Sequence, residues 1–377
     1  MTEAAPSRVL SFDLLRGVAV LLMVEQHLGV WLWRGPARGE TLADYPGLLA
    51  VNLLGGGAAP AFLMLAGMGA ALFLTRADGT ELATTRRTLA LRGLLVMAMG
   101  YGLNLLTPSW FTLRSWYVLH LIGLGLVVLA ILGTRRPGRL LILGASILVA
   151  TPLTQFALDT PRRLTNLRMT GAMGPSPTAD ILPGGHLRLA LFEGQFPVLP
   201  WLAIVLWGAV IARWCTPIPD TKRLLRAGLA CLTLGLGMLA CYHLLRMEFA
   251  LHHPRIFRLN VPFFPCTPPF VLAMAGGLAV LLAGCLRLES RGWLGKTRAL
   301  RALGRCSLSV LIVHVVVFRE LTRPLQLWQS CSVATAGAIL VGTLLTLLLL
   351  ASAWARSRFR YGAEWALRAV APSPTAQ

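Results

Sequence analysis

Residues 13–33 read DLLRGVAVLLMVEQHLGVWLW, an apolar run long enough to cross a membrane that nevertheless contains four ionisable residues. A helix needs about 20 mostly apolar residues to cross the hydrocarbon core of a bilayer. A charged side chain at the centre of such a helix costs roughly 2.5–3.5 kcal/mol on insertion scales. Because intramembrane ionisable residues usually face the interior of a bundle, we expect Asp13, Arg16, Glu25 and His27 to have a structural or functional purpose.

Apolar runs of this kind recur along the whole chain. Hydrophobic residues make up 56% of the 377 residues and charged residues 13%, and the mean hydropathy is +0.67. We count about ten predicted spans: 9–33, 48–74, 89–107, 115–133, 139–157, 196–214, 224–246, 267–286, 303–321 and 333–355. The Gly- and Pro-containing stretch GGGAAP (55–60) could break the second span. The sequence therefore predicts an all-α fold, a polytopic integral membrane helical bundle forming a single transmembrane domain over residues 1–377.

The net charge of +20 is carried by basic residues that punctuate the apolar runs, as topology signals do. No nucleic-acid-binding pattern accompanies them, so we expect no nucleic-acid partner. Lys and Arg number about 21 in one set of alternate loops and about 12 in the other, which predicts cytoplasmic termini by the positive-inside rule. On this topology residues 158–195 form a long extracytoplasmic loop and residues 356–377 a cytoplasmic tail.

The first span places two polar side chains on one stripe. Arg16 and His27 are separated by about 20° around a helix and about 16 Å along its axis. Asp13 lies three residues before Arg16 and can pair with it. The stripe could line one polar tunnel through the bundle. Alternatively, the Asp13–Arg16 pair closes the helix end at the headgroups and His27 is an interfacial residue.

The ninth span has a similar pattern in LGRCSLSVLIVHVVV (303–317). Ser307 and His314 are two helical turns apart and share a face, and Arg305 precedes them at the predicted cytoplasmic entrance. The alternative is a Ser–His contact that only holds two helices together.

Arginines also precede the third span, in TTRRTLALRG (84–93). Arg87 is typical of a topology charge at a cytoplasmic boundary. Arg92 lies about one turn deeper, where a topology charge is less expected.

Several motifs resemble a known family. The pattern R-x4-D-x2-R-G-x-A-x3-M is carried by Arg8, Asp13, Arg16, Gly17, Ala19 and Met23. It resembles the opening of the heparan-α-glucosaminide N-acetyltransferase-like membrane proteins, and FPVLPWLAIVLWGAVIA (196–212) resembles their middle signature. FRYGAEWALR (359–368) is similar to the C-terminal ending of bacterial relatives, with Ala363 where proline is usual. The Arg16-x10-His27 spacing and the segment ending at His314 also resemble membrane O-acyltransferases that modify cell-envelope glycans.

The resemblance implies acyl transfer from cytoplasmic acetyl-CoA or another acyl-CoA to a hydroxyl or amine acceptor, by default a glycan, across the membrane. Arginine forks suit the phosphates of coenzyme A, and the candidates are Arg16, Arg87, Arg92 and Arg305. A histidine suits removal of the acceptor proton. His27 is the leading candidate for general base or transient acyl carrier, His314 is the second, and Asp13 would hold Arg16.

One departure concerns the mechanism. The heparan enzyme has its proposed catalytic histidine in the loop after the first span, and the matching loop here, RGPARGETLADYPG (34–47), contains none. The resemblance therefore implies His27 only through the O-acyltransferase spacing, and an acyl-enzyme intermediate is not implied.

Two other functions remain open. A multi-span transporter of a small solute or cell-envelope precursor could use the same polar stripe, but it would favour paired broken helices, and the only candidate break lies at 55–60. An accessory membrane protein could use its buried charges only to set topology. The scattered cysteines predict no metal site. The composition favours the inner membrane of a bacterium, with membrane lipids, the acyl-CoA and a small acceptor as partners, and a homodimer is compatible with it.

Overall fold

The computed structural model describes residues 9–40, 44–76, 81–158, 160, 184–216, 218–244 and 266–372. Across these residues the chain is helical, and extended pairing is limited to one isolated bridge between Trp33 and Cys331. The α-helices, numbered in chain order, are α1 (Leu10–Leu32), α2 (Pro46–Gly55), α3 (Ala58–Leu74), α4 (Glu81–Leu106), α5 (Val118–Leu132), α6 (Pro137–Ala157), α7 (Gly185–Arg188), α8 (Val198–Trp214), α9 (Thr221–Leu244), α10 (Pro268–Ser290), α11 (Arg298–Arg305), α12 (Ser307–His314), α13 (Val333–Trp354) and α14 (Ala363–Val370). The predicted all-α class is confirmed for this part of the chain.

Six of the described helices are long and apolar enough to cross a membrane, and up to eight spans result if each of two bent pairs is one span. Two shorter apolar helices, α3 and α5, coincide with the predicted second and fourth spans. The long and the shorter apolar helices therefore overlap predicted spans, whereas α7 and α14 lie in the segments predicted as a loop and a tail. The span number itself, and the cytoplasmic placement of both termini, stay predictions.

Burial differs sharply between helices, as expected for a bundle in lipid. Nearly every residue of α8 is buried, and Trp201 lies at 0% exposure. In α13, by contrast, Leu345, Leu349 and Leu350 are 57%, 72% and 60% exposed. An apolar face this open is unusual on a soluble monomer. Helix α8 therefore forms the centre of the bundle, and α13 presents an apolar face of the kind that lipid covers.

Glycines allow the closest helix crossings. A Cβ atom at Gly17 of α1 would overlap the carbonyl group of Leu300, and one at Gly304 of α11 would overlap the carbonyl group of Asp13. Small residues allow helix backbones to approach closely in membranes, where packing replaces the hydrophobic effect as the driving force. The crossing fixes α1 against the segment that leads into α12.

Two carboxylates from distant segments cap the N-terminal ends of α1 and α12. Glu289 accepts hydrogen bonds from the Leu10 and Ser11 amides at 2.7 and 2.9 Å, at the start of α1. Glu364 of α14 accepts from the Leu308 amide at 2.6 Å, at the start of α12. Helix N-termini leave free N–H groups and carry partial positive charge, so a carboxylate satisfies both.

Three breaks occur within or at the edge of the predicted spans. The second span is divided between Gly55 and Ala58, within the GGGAAP stretch that predicts a possible break. The helices on either side of Cys306 are bent by 58°, and those on either side of residues 194–197 by 54°. The expectation that 55–60 holds the only break is therefore wrong: a second break lies at residues 194–197, which contain one Gly and one Pro, and a third lies at Cys306, where neither is present.

The predicted loop and tail are only partly described. Within the loop 158–195, residues 159 and 161–183 lie outside the described residues, while Gly185–Glu193 is helical and ends in a π-helical turn. The segment predicted as a tail contains α14, which packs against the bundle through Glu364. Residue Ala371, just after α14, accepts a hydrogen bond from Arg92 Nε at 3.0 Å.

Candidate active site

Two histidines from distant parts of the sequence meet inside the bundle. His27 lies toward the C-terminal end of α1, and His314 is the last residue of α12. His27 Nδ1 and His314 Nε2 are 2.8 Å apart, and the rings are nearly parallel, with an interplanar angle of 9°. The structure thus brings together the two residues predicted as catalytic histidines.

A backbone carbonyl sets the direction of this hydrogen bond. His314 Nδ1 lies 2.9 Å from the Val310 carbonyl oxygen, which can only accept. Neutral His314 therefore carries its proton on Nδ1 and accepts on Nε2, and His27 donates from its own Nδ1. The Nε2 atom of neutral His27 is then left with a lone pair, and no described residue bonds it.

Aromatic rings hold the His27 imidazole in place. The Trp31 ring stacks on it with centroids 5.0 Å apart, and Trp110 meets it edge-on at 5.5 Å. Trp31 and Trp110 also meet at nearly a right angle, 88°. Trp110 lies in the segment that connects α4 and α5, so this connection closes one side of the site.

His27 lines a cavity of about 480 Å³, here called the histidine cavity. Its wall includes Trp31, Trp110, Tyr117, Arg319 and Trp328. A site of this volume, lined mainly by apolar and aromatic side chains with a few polar groups, is typical of small-molecule binding.

A second cavity of about 340 Å³, here called the arginine cavity, lies against the other half of α1. Arg16 and Arg92 line it, together with Ser307 and the Phe73 ring. Arg16 Nη1 pairs with Asp13 Oδ1 at 3.1 Å, as predicted from their spacing. The Arg92 guanidinium lies 4.5 Å from the centroid of the Phe73 ring.

The two cavities share wall residues. Phe62 and Leu311 line both, and they are 9% and 6% exposed. Arg16 and His27 therefore line different cavities, which adjoin at two apolar side chains. The predicted single tunnel is replaced by two chambers that adjoin at Phe62 and Leu311.

The remaining predicted arginines lie elsewhere. Arg87 is exposed on α4, and Arg305 is exposed with its guanidinium 4.8 Å from the centroid of the Phe359 ring. Neither lines the arginine cavity. The four arginines predicted to bind the donor therefore do not share one chamber, because Arg87 on α4 and Arg305 at the end of α11 are exposed outside it.

Arg319, which is 1% exposed and lines the histidine cavity, is not among the residues that the sequence predicts for the site. The Trp110 segment is also not among them. An arginine in the run LIVHVVVFRE was a usable signal, because a charge inside an apolar span needs an explanation.

The described residues contain no group of three or more His, Cys, Asp or Glu side chains that could hold a metal ion. The histidine pair has two nitrogens already occupied by each other, and Val310 occupies a third. The arrangement suits proton transfer between imidazoles.

Comparison with known families agrees with this description. Residues 8–244, more than half of the chain, match the family described as heparan-alpha-glucosaminide N-acetyltransferase, catalytic. Residues 210–373 match a second family, described as protein of unknown function (DUF418). Among curated proteins, nothing matches. With its apolar helices and its match across α1–α9, this chain is a multi-pass membrane protein that belongs to the heparan-alpha-glucosaminide N-acetyltransferase family.

Proposed function

We propose that the protein is an integral membrane acyltransferase of the bacterial inner membrane. It moves an acetyl or longer acyl group from cytoplasmic acyl-CoA to a hydroxyl or amine, on a glycan in the first instance, at the extracytoplasmic side. The observation that carries this proposal is the hydrogen bond from His27 to His314 at the wall of the histidine cavity. The family match supports acetyl transfer as the reaction type.

In this proposal His27 Nε2 is the general base. It removes the proton from the acceptor hydroxyl or amine as that group attacks the thioester carbonyl carbon. The carbon–sulfur bond then breaks, the acyl group stays on the acceptor, and the thiolate takes the proton to leave as free coenzyme A. His314 stabilises the imidazolium by accepting from His27 Nδ1, a part similar to that of an orienting carboxylate in a catalytic triad.

The donor enters through the arginine cavity in this proposal. Arg16 is about one-quarter exposed, with 28% of its side chain accessible, so its guanidinium can reach a phosphate without losing Asp13. Arg92 offers a second guanidinium in the same chamber. The acyl end of the donor then points to the wall formed by Phe62 and Leu311, where the arginine cavity adjoins the cavity that His27 lines.

The test is a transfer assay in nanodiscs with acetyl-CoA and longer acyl-CoAs, a crude envelope glycan fraction as acceptor, and mass spectrometry of the products. The wild-type protein should release free coenzyme A and acylate a component of the fraction. His27→Gln should lower the transfer rate by about 10²–10⁴-fold, the usual contribution of a general base. Thermal stabilisation by acetyl-CoA should persist in this variant, because binding stabilises the folded state independently of chemistry.

His186→Gln is the matched control. His186 bonds Tyr101 and the Arg114 carbonyl and does not line either cavity, so its loss should leave transfer unchanged. Full activity in His27→Gln, or no stabilisation of the wild type by any acyl-CoA at millimolar concentration, would refute the proposal.

Transport is the second candidate, and the two bent helix pairs favour it. Broken helices in membrane proteins often border a substrate path. A liposome experiment separates the two functions: a transporter moves labelled solute without consuming acetyl-CoA, whereas the acyltransferase consumes acetyl-CoA and leaves a covalent product.

A further inference from the structure

Four residues at a regular spacing of four face the histidine cavity from one side. They are Leu311, Val315, Arg319 and Arg323. The first belongs to α12, and the next two belong to the π-helical turn Val315–Glu320 that follows it. π-helical turns inside α-helical segments are rare and frequently occur at functional sites. The turn keeps Arg319 pointed at the cavity instead of at lipid.

Arg319 is almost completely buried, yet only part of its hydrogen-bonding capacity is used. Its Nη2 atom donates to the Ser109 carbonyl oxygen at 2.8 Å. Its Nε and Nη1 atoms are buried and have no partner among the described residues. The neighbouring carboxylate of Glu320 instead accepts from the Ser109 hydroxyl at 2.7 Å. A buried charge that lacks its partners is strongly unfavourable, which indicates that a ligand supplies them.

The guanidinium of Arg319 lies over two indole rings. The Cζ atom of Arg319 lies 3.9 Å from the centroid of the Trp328 ring and 5.7 Å from the centroid of the Trp110 ring. Arg323 lies 5.0 Å from the same Trp328 ring, and it is exposed at the mouth of the cavity. Stacking on aromatic faces leaves the N–H edge of an arginine free, and that edge matches the oxygens of a carboxylate or phosphate.

We propose that Arg319, aided by Arg323, binds an anionic group on the acceptor, a carboxylate or a phosphate, and so selects acidic acceptors. The inference rests on the proposed acyl transfer and adds the acceptor class to it. Arg319 and His27 line the same chamber, whereas Arg16 and Arg92 line the other. The anion therefore belongs to the molecule that meets His27, not to the phosphates of the donor.

The competing explanation is that Arg319 only anchors the α4–α5 connection through Ser109. Glu320 anchors the same residue, by its side-chain hydroxyl and, at 3.4 Å, its amide. Glu320→Gln is therefore the matched control, since it weakens the anchor and leaves the guanidinium in place. If Arg319 were only structural, Arg319→Gln and Glu320→Gln would have the same effect on ligand binding.

The experiment measures thermal unfolding of the full chain in nanodiscs with glucose, glucuronate or glucose 6-phosphate, at matched ionic strength. We expect glucuronate or glucose 6-phosphate to stabilise the wild type more than glucose does, and the stronger of the two identifies the carboxylate or the phosphate. Arg319→Gln should raise the apparent Kd for that sugar by at least tenfold, while Glu320→Gln should keep it within about twofold. Arg323→Gln, at an exposed position, should raise it by a few fold and provides the test if Arg319→Gln does not fold.

Stabilisation by acetyl-CoA, measured in parallel, distinguishes failure of the acceptor inference from failure of the acyltransferase proposal. If acetyl-CoA stabilises the wild type but neither acidic sugar exceeds glucose, the acceptor inference is overturned and the acyltransferase proposal stands. If an acidic sugar binds through Arg319 but no acyl-CoA binds, the anion site stands and the acyltransferase proposal falls. If Arg319→Gln loses acetyl-CoA stabilisation instead, Arg319 contacts the donor and the inference is wrong.

Discussion

The arginine cavity and the histidine cavity adjoin at Phe62 and Leu311, but their arginines differ in how far the protein itself supplies hydrogen-bonding partners. In the arginine cavity, Arg16 is paired with Asp13, and Arg92 bonds the Ala371 carbonyl. In the histidine cavity, Arg319 keeps two buried donor atoms without a described partner.

The difference indicates how each chamber should respond to substitution. Charges that the chain already satisfies are held at a modest energetic cost, so a ligand gains little by replacing their partners. Buried groups with free capacity make their full contribution only when a ligand is bound. Changes in the histidine cavity should therefore have larger effects on the reaction than changes in the arginine cavity.

The largest effect expected beyond His27 itself is at His314. His314→Gln keeps a polar side chain but removes the imidazole that accepts from His27 Nδ1. We expect the transfer rate to fall by about 10²-fold, since the base loses the group that fixes its tautomer. Steady-state transfer with acetyl-CoA measures this, and a rate within threefold of wild type would mean that the histidine pair is only a packing contact.

The next effect concerns the helix crossing that supports both chambers. Gly304→Ala places a methyl group against the Asp13 backbone and must push α11 away from α1. Overpacking of this kind costs about 1–3 kcal/mol, so the unfolding temperature in nanodiscs should fall. Gly29→Ala is the control on the same α1, because a methyl group at that position would meet no atom within 4 Å. An equal fall in the unfolding temperature of both variants would show that the crossing at Gly304 is not packed more closely than the surroundings of Gly29.

The individual histidines could be predicted because each is an ionisable residue in an apolar span, and such residues are conspicuous in any sequence. Their meeting could not, because 287 residues separate them and only the assembled bundle brings them to 2.8 Å. The cap on α12 could not be predicted for the same reason, because Glu364 lies 56 residues after Leu308.

The sequence does not reveal the position of Arg319, for a related reason. Arg319 lies two residues before the end of the predicted span 303–321, where an arginine is ordinarily interpreted as a topology charge. The π-helical turn changes that interpretation, because it directs the side chain inward. Periodicity at 3.6 residues per turn does not reveal a local change of helical pitch.

A smaller effect should follow from narrowing the shared wall. Phe62→Trp adds volume between the two cavities and leaves both arginines of the donor chamber unchanged. We expect the transfer rate to fall about tenfold, equivalent to about 1.4 kcal/mol, with acetyl-CoA stabilisation unaltered. The transfer rate and the stabilisation by acetyl-CoA are measured on the same variant and compared. A parallel loss of donor binding would place the acyl group somewhere other than at this wall.

The smallest effect should arise at Arg16. Arg16→Gln removes one phosphate-binding guanidinium, but the position is partly solvated and its Asp13 partner remains. Charge pairs at such positions contribute about 1 kcal/mol or less, so the Kd for acetyl-CoA should rise about fivefold. Added salt should reduce the difference between wild type and variant, because solvent-exposed charges are screened.

Arg87→Gln and Arg305→Gln serve as controls for this last prediction, because both side chains are exposed and neither lines the arginine cavity. Each removes the same charge from the chain as Arg16→Gln does. If the three variants weaken acetyl-CoA binding equally, the donor responds only to the overall positive potential, and the arginine cavity has no distinct role. If Arg16→Gln alone weakens it, the satisfied charge of that chamber is the one that meets the donor.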